Sequence, residues 1–307
     1  MRIAVIGAGN VGAATAMRIA EADLADVVLI DIVEGKAAGI ALDISSASAI
    51  VRHSRSLIGS SDYADLEGAE IVVMTAGFAR KPGESRDDLL LKNAAVVKEV
   101  AAQIARYCPE AIVIVVTNPL DAMAYLLYKT TNFACAQIIG MGGTSDCARL
   151  NMLIADELNT NVQNIQSMII GAHGDSMVVL PRLCTVQGIP ISDLLSEEKV
   201  SDIIEQTRHF GAHVVELLGQ GSAYYGPSAG VLQLVDAIVH DRKSVLCAST
   251  FIDGQYGLNN IFIGIPVKIG RSGIEEIIEL ELNEEEKTDF IYSVNKVRET
   301  IEKLDPA

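Results

Sequence analysis

The sequence predicts an α/β protein in which a doubly wound parallel sheet is followed by an α+β unit with antiparallel strands. Three observations carry this. Short apolar, β-branched runs alternate with longer helical stretches through the first half, the pattern of crossover units. A glycine-rich turn joins the first of these runs to the first helix. Past residue 143 the texture changes, and strand-like runs stand in pairs about a loop or a turn.

Taken in order, residues 2–6 read as a strand, 9–22 as a helix and 27–31 as a second strand. Residues 71–76 and 112–117 are further strands, with a helix over 89–107 between them, and 138–140 is a last short one. Such runs suit strands of a parallel sheet, which is buried on both faces. Gly142-Gly143 marks a break before a helix over 145–158, and the boundary is placed there, giving two closely packed domains, 1–143 and 144–307. In the second, strands over 166–170 and 178–180 flank a loop, and 200–218 and 227–240 are helical. Strands over 246–251 and 261–269 form an antiparallel pair about the turn at 254–257. The chain ends in an amphipathic helix with Phe290, Val294, Val297, Ile301 and Leu304 at helical spacing. Its acidic neighbours Glu284, Glu285 and Glu286 read as a solvated helix start. The apolar stretch 37–50 is either a subunit-interface helix or an ordinary buried face.

Composition excludes several classes of function. Half of the 307 residues are apolar and the mean hydropathy is +0.31, yet runs such as 111–116 fall far short of the roughly 18 residues a spanning helix needs. The first apolar stretch is only residues 3–6, against roughly 7–15 in a signal peptide, so no secretion is expected. Five cysteines, Cys108, Cys135, Cys147, Cys184 and Cys247, never form a C-x-x-C pair. That spacing fits neither a zinc site nor a disulfide framework and points to a reducing, cytoplasmic compartment. A formal charge of −16 argues against nucleic acid or an anionic membrane as partner.

Gly7-Ala8-Gly9-Asn10-Val11-Gly12 follows the first strand and opens the first helix. In a Rossmann-type dinucleotide site the first glycine makes the tight turn, the second lets the backbone approach the pyrophosphate, and the third permits close helix–strand packing. The helix start presents free N–H groups to the phosphates. Asp31 ends the next strand, nineteen residues after Gly12, where a carboxylate accepts from the ribose hydroxyls and repels a 2′-phosphate, so NAD is favoured over NADP. Thr75-Ala76-Gly77 and, after Val116, Thr117-Asn118-Pro119 end later strands and fall where a dinucleotide and its substrate lie in such sheets.

His173 stands in the glycine-flanked segment Gly171-Ala172-His173-Gly174; its spacing alone does not distinguish a structural histidine from a catalytic one. Asp146 and Arg149 are three apart and share a helical face, as an ordinary ion pair would. Residues 79–88 read as a lid, with Pro82-Gly83 breaking regular structure and Ser85-x-x-Asp88 as a capping box for the next helix.

The motifs G-A-G-N-V-G at 7–12, R-K-P-G-E-S-R at 80–86, T-N-P at 117–119, D-C-A-R at 146–149 and G-A-H-G-D at 171–175 occur in one order. In these the chain resembles the lactate/malate dehydrogenase family over essentially its whole length, and within it the malate dehydrogenases whose sequences are closer to lactate dehydrogenases. The resemblance implies reversible hydride transfer between (S)-malate and NAD, giving oxaloacetate and NADH. It makes His173 the acid that protonates the developing alkoxide and the base of the reverse reaction. Asp146 would hold one ring nitrogen of His173, Arg149 would grip the substrate's C1 carboxylate in a bidentate fork, and Arg86 would polarise the carbonyl. Asn118 would bond the substrate oxygen, Asn93 would lie near the cofactor, and Ser222 and Ala223 would border the nicotinamide or substrate. The Asn118-Pro119 bond is expected to be cis by the same resemblance.

Arg80 matches the position that distinguishes one 2-oxo acid from another, where lactate dehydrogenases typically carry glutamine. An arginine there suits a second carboxylate; opposite pyruvate's methyl it would be a buried unpaired charge. Glu84 departs from the methionine common in malate dehydrogenases and resembles the lactate enzymes. Lactate dehydrogenase, or another 2-hydroxy acid dehydrogenase, is therefore the alternative. A third alternative, of another class, is a dinucleotide-binding protein without turnover, which has no need of Arg86, Asp146, Arg149 and His173 together. Glu205, His209, His213 and Glu216 share a helical phase; a metal face and a solvated or interface helix both fit, and no metal is assigned. The resemblance further implies a homo-oligomer, a tetramer rather than a dimer, and a place in the tricarboxylic acid cycle.

Overall fold

The structure is a computed structural model that describes residues 1–79, 85–219 and 221–304. The first half runs β1 (Arg2–Ile6), α1 (Asn10–Glu21), β2 (Asp26–Ile30), α2 (Lys36–Ser46), α3 (Ser48–Val51), β3 (Leu57–Ser60), β4 (Ile71–Met74), α4 (Arg86–Tyr107), β5 (Ile112–Val115), α5 (Leu120–Thr130), β6 (Ile138–Gly140) and α6 (Gly142–Glu157). Its six strands are parallel and ordered β3-β2-β1-β4-β5-β6. Helices cover both faces because successive strand residues point to opposite sides. Ile3 and Val5 enter one apolar cluster, while Ala4 and Ile6 enter the other. From β1 the chain winds outward through β2 and β3, then returns to β4 on the far side of β1. That reversal opens a crevice beyond the carboxyl ends of β1 and β4.

The second half adds β7 (Ile165–Gln166), β8 (Ile169–Ile170), β9 (Val178–Val179), β10 (Thr185–Val186), β11 (Ile189–Pro190), α7 (Glu197–Leu218), α8 (Tyr225–Val239), β12 (Ser244–Ile252), β13 (Ile261–Gly270), β14 (Gly273–Ile277) and α9 (Glu284–Glu302). The expected antiparallel pair is β12 and β13, paired over the full length of β12. It does not form a separate sheet. β12 joins the edge of β6 through Ser249 opposite Gly140, so the parallel strands continue into one nine-stranded mixed sheet. One apolar cluster correspondingly holds Ile3 and Val5 together with Ile263 and Ile265.

Three local expectations are corrected, and two elements are added. Gly142-Gly143 is no break but the first turn of α6. A Cβ on Gly142 would lie 2.6 Å from the His173 Cβ, and one on Gly143 2.5 Å from the Cys247 carbonyl, so these glycines let the helix start close to both elements. α4 begins at Arg86 rather than near 89, because the Ser85 hydroxyl accepts the Asp88 N–H at 3.0 Å and caps it. The rest of the expected lid, residues 80–84, lies outside the described residues. Glu286 is not solvated: Asn283 and Glu286 cap each other's N–H groups at 2.9 Å, and the buried carboxylate accepts from Arg182 at 2.8 Å. Finally, β3 and α5 escape the sequence pattern. β3 offers only Leu57 and Ile58 as apolar residues, and α5 is buried around so much of its surface that no amphipathic period shows.

The stretch 37–50 is divided. Ala37 and Ala41 pack into the core at 2% exposure, while Leu42 and Ile50 stand 74% and 82% exposed. Among the described residues no helix is long and apolar enough to cross a membrane.

Candidate active site

The glycine turn fits a dinucleotide for reasons internal to the structure. Gly7 has φ +101° and a Cβ there would meet the Ala76 backbone at 2.7 Å; at Gly12 it would fall 1.8 Å from the Gly7 carbonyl. These two glycines are required by packing. Gly9 is different, since its Cβ position has nothing within 4 Å. It caps α1 without a side-chain bond to the first-turn N–H groups, and no acidic residue stands in that turn. Open space beside unsatisfied helix N–H groups, at Asn10 and Val11, suits an anionic phosphate group.

Asp31 is buried beneath this turn. Its carboxylate accepts from Ala8 N–H at 2.8 Å, Val33 N–H at 3.0 Å and Lys36 Nζ at 3.0 Å. Burial pushes its pKa up, but the Val33, Lys36 and Ala8 donors together hold it below the ordinary carboxylate value. Three donors leave acceptor capacity on a two-oxygen carboxylate, and that capacity fits a ribose hydroxyl. Behind the crevice, Thr75 Oγ1 donates to the Ile6 and Gly7 carbonyls at 3.0 and 2.9 Å, and Thr117 Oγ1 to Ala76 at 2.7 Å. Asn93, 1% exposed, spends its amide on loops: it accepts from Phe78 N–H at 2.8 Å and donates to Phe78 and Asn118 carbonyls at 3.2 and 2.7 Å. It supports both walls of the crevice at Gly77, where φ is +156° and a Cβ would meet Thr117 Cγ2 at 2.7 Å. Val116 is half-buried at the end of β5, and the Asn118-Pro119 bond that follows is cis.

The acid–base cluster assembles where the two halves meet. His173 Nδ1 lies 2.8 Å from Asp146 Oδ2, and Arg149 Nη1 lies 3.1 Å from Asp146 Oδ1. One carboxylate thus serves both the ordinary helical ion pair and the histidine contact. Asp146 is 2% exposed, against 19% for the His173 side chain and 15% for Arg149. An ionised acceptor at Nδ1 fixes the proton there and leaves Nε2 as the exchanging nitrogen. Burial lowers the His173 pKa, but Asp146's charge and hydrogen bond overcome it and hold the imidazole above its ordinary value, with Arg149 acting against them. The Arg149 guanidinium also lies 5.6 Å from the centroid of the Phe210 ring, within cation–π range. His173 and Asn118 line a cavity of about 710 Å³ whose far wall is α9.

The structure therefore brings together Asp146, Arg149, His173 and Asn118 beside the crevice of Gly7, Gly9, Gly12, Asp31, Thr75, Ala76 and Gly77. Arg80 and the side chain of Arg86 lie outside the described residues. Ser222 is exposed and Ala223 half-buried just before α8. The possible metal face on α7 is a set of exposed pairs, His209 with Glu205 at 2.8 Å and His213 with Glu216 at 3.8 Å. Among the described residues no three His, Cys, Asp or Glu side chains converge as metal ligands. Sequence reasoning missed Asp121, whose carboxylate accepts the His173 backbone N–H at 3.0 Å, and Ser249, whose hydroxyl donates to Asp121 at 2.6 Å. The available signal was a lone carboxylate within the apolar run Leu120-Asp121-Ala122-Met123-Ala124.

Residues 1–140 match the family model for the lactate/malate dehydrogenase NAD binding domain, and 144–305 match that for the lactate/malate dehydrogenase α/β C-terminal domain. A malate dehydrogenase of Methanosarcina barkeri is 45% identical over 304 residues, covering 99% of each chain. The apo malate dehydrogenase of Picrophilus torridus superposes with a TM-score of 0.97 at 42% identity, covering 99% of this chain and 97% of that one. The lactate dehydrogenase of Cryptosporidium parvum, solved with lactic acid and NAD, does so at 0.96 with 36% identity, covering 100% and 98%. This chain belongs to the lactate/malate dehydrogenase family, whose members are NAD-dependent oxidoreductases.

Proposed function

We propose that the chain is an NAD-dependent malate dehydrogenase that interconverts (S)-malate and oxaloacetate. The observation that carries this is the Asp146 carboxylate shared by His173 and Arg149 at the mouth of the dinucleotide crevice. Residues 1–143 hold the cofactor and contribute Arg80, Arg86 and Asn118 to the substrate site, and 144–307 supply Asp146, Arg149 and His173; the two family models, 1–140 and 144–305, support this division. The glycine turn at 7–12 and Asp31 would hold NAD, which would supply the hydride acceptor for C2 of malate and, in its reduced form, the hydride donor for oxaloacetate.

The residues of the chain do the rest. His173 Nε2 removes the proton of the 2-hydroxyl during oxidation and returns it to the alkoxide during reduction. Asp146 keeps the ring in the required tautomer and stabilises the imidazolium. Arg149 pairs with the C1 carboxylate, Asn118 donates to the reacting oxygen, and Arg86 polarises it as water is expelled. Gly9, Asn10 and Val11 bond the pyrophosphate through their N–H groups, and Asp31 takes the ribose hydroxyls. Arg80 reads the second carboxylate that separates oxaloacetate from pyruvate. Malate dehydrogenases in several organisms are 45–46% identical to the chain along its length, which supports that choice.

The enzyme acts in the cytoplasm, in the tricarboxylic acid cycle, as a homotetramer. Five free cysteines support the compartment. Exposed Leu42, Ile50 and Leu217 support association, and light scattering at micromolar concentration should give four protomers. The decisive experiment is NADH oxidation with oxaloacetate and with pyruvate. Oxaloacetate should be preferred strongly, and Arg80→Gln should lower its kcat/KM by roughly 10²-fold or more, since it removes the cationic partner of the substrate's second carboxylate. A wild-type preference for pyruvate would make the chain a lactate dehydrogenase.

A further inference from the structure

We propose that Asp121, held by Ser249, is a positioning residue for His173: it anchors the backbone of the catalytic loop and places a second carboxylate behind the imidazole. This rests on the reading of His173 as the acid–base group. Asp121 is 5% exposed in the first turn of α5, among the buried side chains of Leu120, Ala122, Met123 and Ala124. Burying a carboxylate there is costly unless it is paired or fully bonded. A helix start needs only a surface acid; Asp121 instead joins three elements. Oδ1 accepts from Ser249 on β12 at 2.6 Å, and Oδ2 accepts the His173 N–H at 3.0 Å.

The loop is pinned one residue at a time, each from a different element. Gly171 exchanges both backbone bonds with Gly264 on β13, at 2.8 and 3.0 Å. Ala172 N–H donates to Ser293 Oγ on α9 at 2.8 Å. His173 N–H donates to Asp121 on α5, and its ring is held by Asp146 on α6. A Cβ at Gly142 would meet the His173 Cβ at 2.6 Å, so the glycine leaves the space that the His173 side chain occupies. The first two anchors are neutral. The third is a carboxyl group, whose charged form acts on the His173 proton as well as on position.

The charged groups around His173 come from every packed element. Asp146 and Arg149 stand on α6 and Asp121 on α5. Lys296 and Glu299 of α9 and Asp175 of its own loop line the same cavity. So do Asp87 and Lys303, which pair with each other at 2.7 Å. Of these, Asp121 joins Asp146 in raising the imidazole's pKa while Arg149 lowers it. Burial pushes the Asp121 carboxyl up, and the bonds from Ser249 and His173 oppose that. The Ser249 hydroxyl therefore favours the charged form of Asp121 against that burial, and the charged form in turn favours the imidazolium.

The test is an NMR titration of the histidine ring carbons, together with pH profiles of kcat/KM in both directions at saturating cofactor. The chain has five histidines, so His173→Asn assigns the His173 signal and the limb it controls. Asp121→Asn keeps the size of the side chain and an acceptor for the His173 N–H but removes the charge. It should lower the His173 midpoint by roughly 0.5–1 pH unit. The acid limb for malate oxidation and the alkaline limb for oxaloacetate reduction should both move down by the same amount. Ser249→Ala should move them the same way by less, and it decides alone if Asp121→Asn does not fold. Unmoved midpoints in the folded variants, with only melting temperature or kcat reduced, would make Asp121 a scaffold residue and overturn the proposal. A wild-type limb that survives His173→Asn would overturn the reading of His173 itself, and the proposal with it.

Discussion

The cofactor crevice and the acid–base cluster lie side by side but are built in opposite ways. The crevice is mostly backbone: Gly7, Gly9 and Gly12 shape it, and the space above Gly9 stays open because nothing projects into it. Its three glycines come from one continuous strand-turn-helix. The cluster is mostly side chain. Asp121, Asp146, His173 and Ser249 arrive from α5, α6, a loop and β12, and each holds another. A backbone site is preorganised by local sterics. A side-chain site is preorganised by tertiary packing, and its chemistry fails when one member changes.

That contrast predicts separable defects. The largest effect belongs to His173→Asn, which should cut kcat by about 10²–10⁴-fold while NADH affinity, followed by fluorescence, stays within a few-fold of wild type. A loss of binding in that variant would break the division between the regions. Gly12→Ala should do the reverse. Its methyl would lie 1.8 Å from the Gly7 carbonyl, and overpacking of this kind costs about 1–3 kcal/mol. The expected result is a lower melting temperature and an NADH Kd raised by more than about tenfold, with kcat at saturating cofactor little changed.

Asp31→Asn has the smallest effect and sharpens the comparison, because Asp31 is a side chain working within the backbone site. Loss of a charged acceptor should weaken NADH binding by about tenfold. It should also change how stability depends on pH. The folded carboxyl sits below its ordinary value, so its contribution is complete above the ordinary carboxylate range. That contribution is lost as pH falls through the lowered folded value. Urea unfolding should therefore show the variant less stable than wild type at neutral pH, with the gap closing in acid. A gap that widened in acid would contradict the bonding seen at Asp31.

The same contrast explains what was legible beforehand. Strands β1, β2, β4, β5 and β6 were readable because burial on both faces demands uninterrupted apolar residues, and the glycine turn because packing at Gly7 and Gly12 excludes a side chain. Gly142-Gly143 was misread as a break, since the same residue that interrupts a helix also permits a close approach, and only the neighbour at 2.6 Å tells the two apart. Glu286 was misread as solvated because its partner, Arg182, lies 104 residues away.

By itself the sequence determined the alternating order of strands and helices, the dinucleotide turn with its acidic partner, and the set of motifs that mark the family. The first two are local consequences of hydrophobic period and backbone geometry, and the third rests on resemblance. Tertiary structure alone decided that β12 extends the parallel sheet through Ser249 and Gly140, and that Asp146 serves His173 and Arg149 at once. It also decided that Asp121 stands behind the catalytic loop. Those contacts join residues far apart in the chain, and their positions follow from how whole elements pack, which no local pattern records.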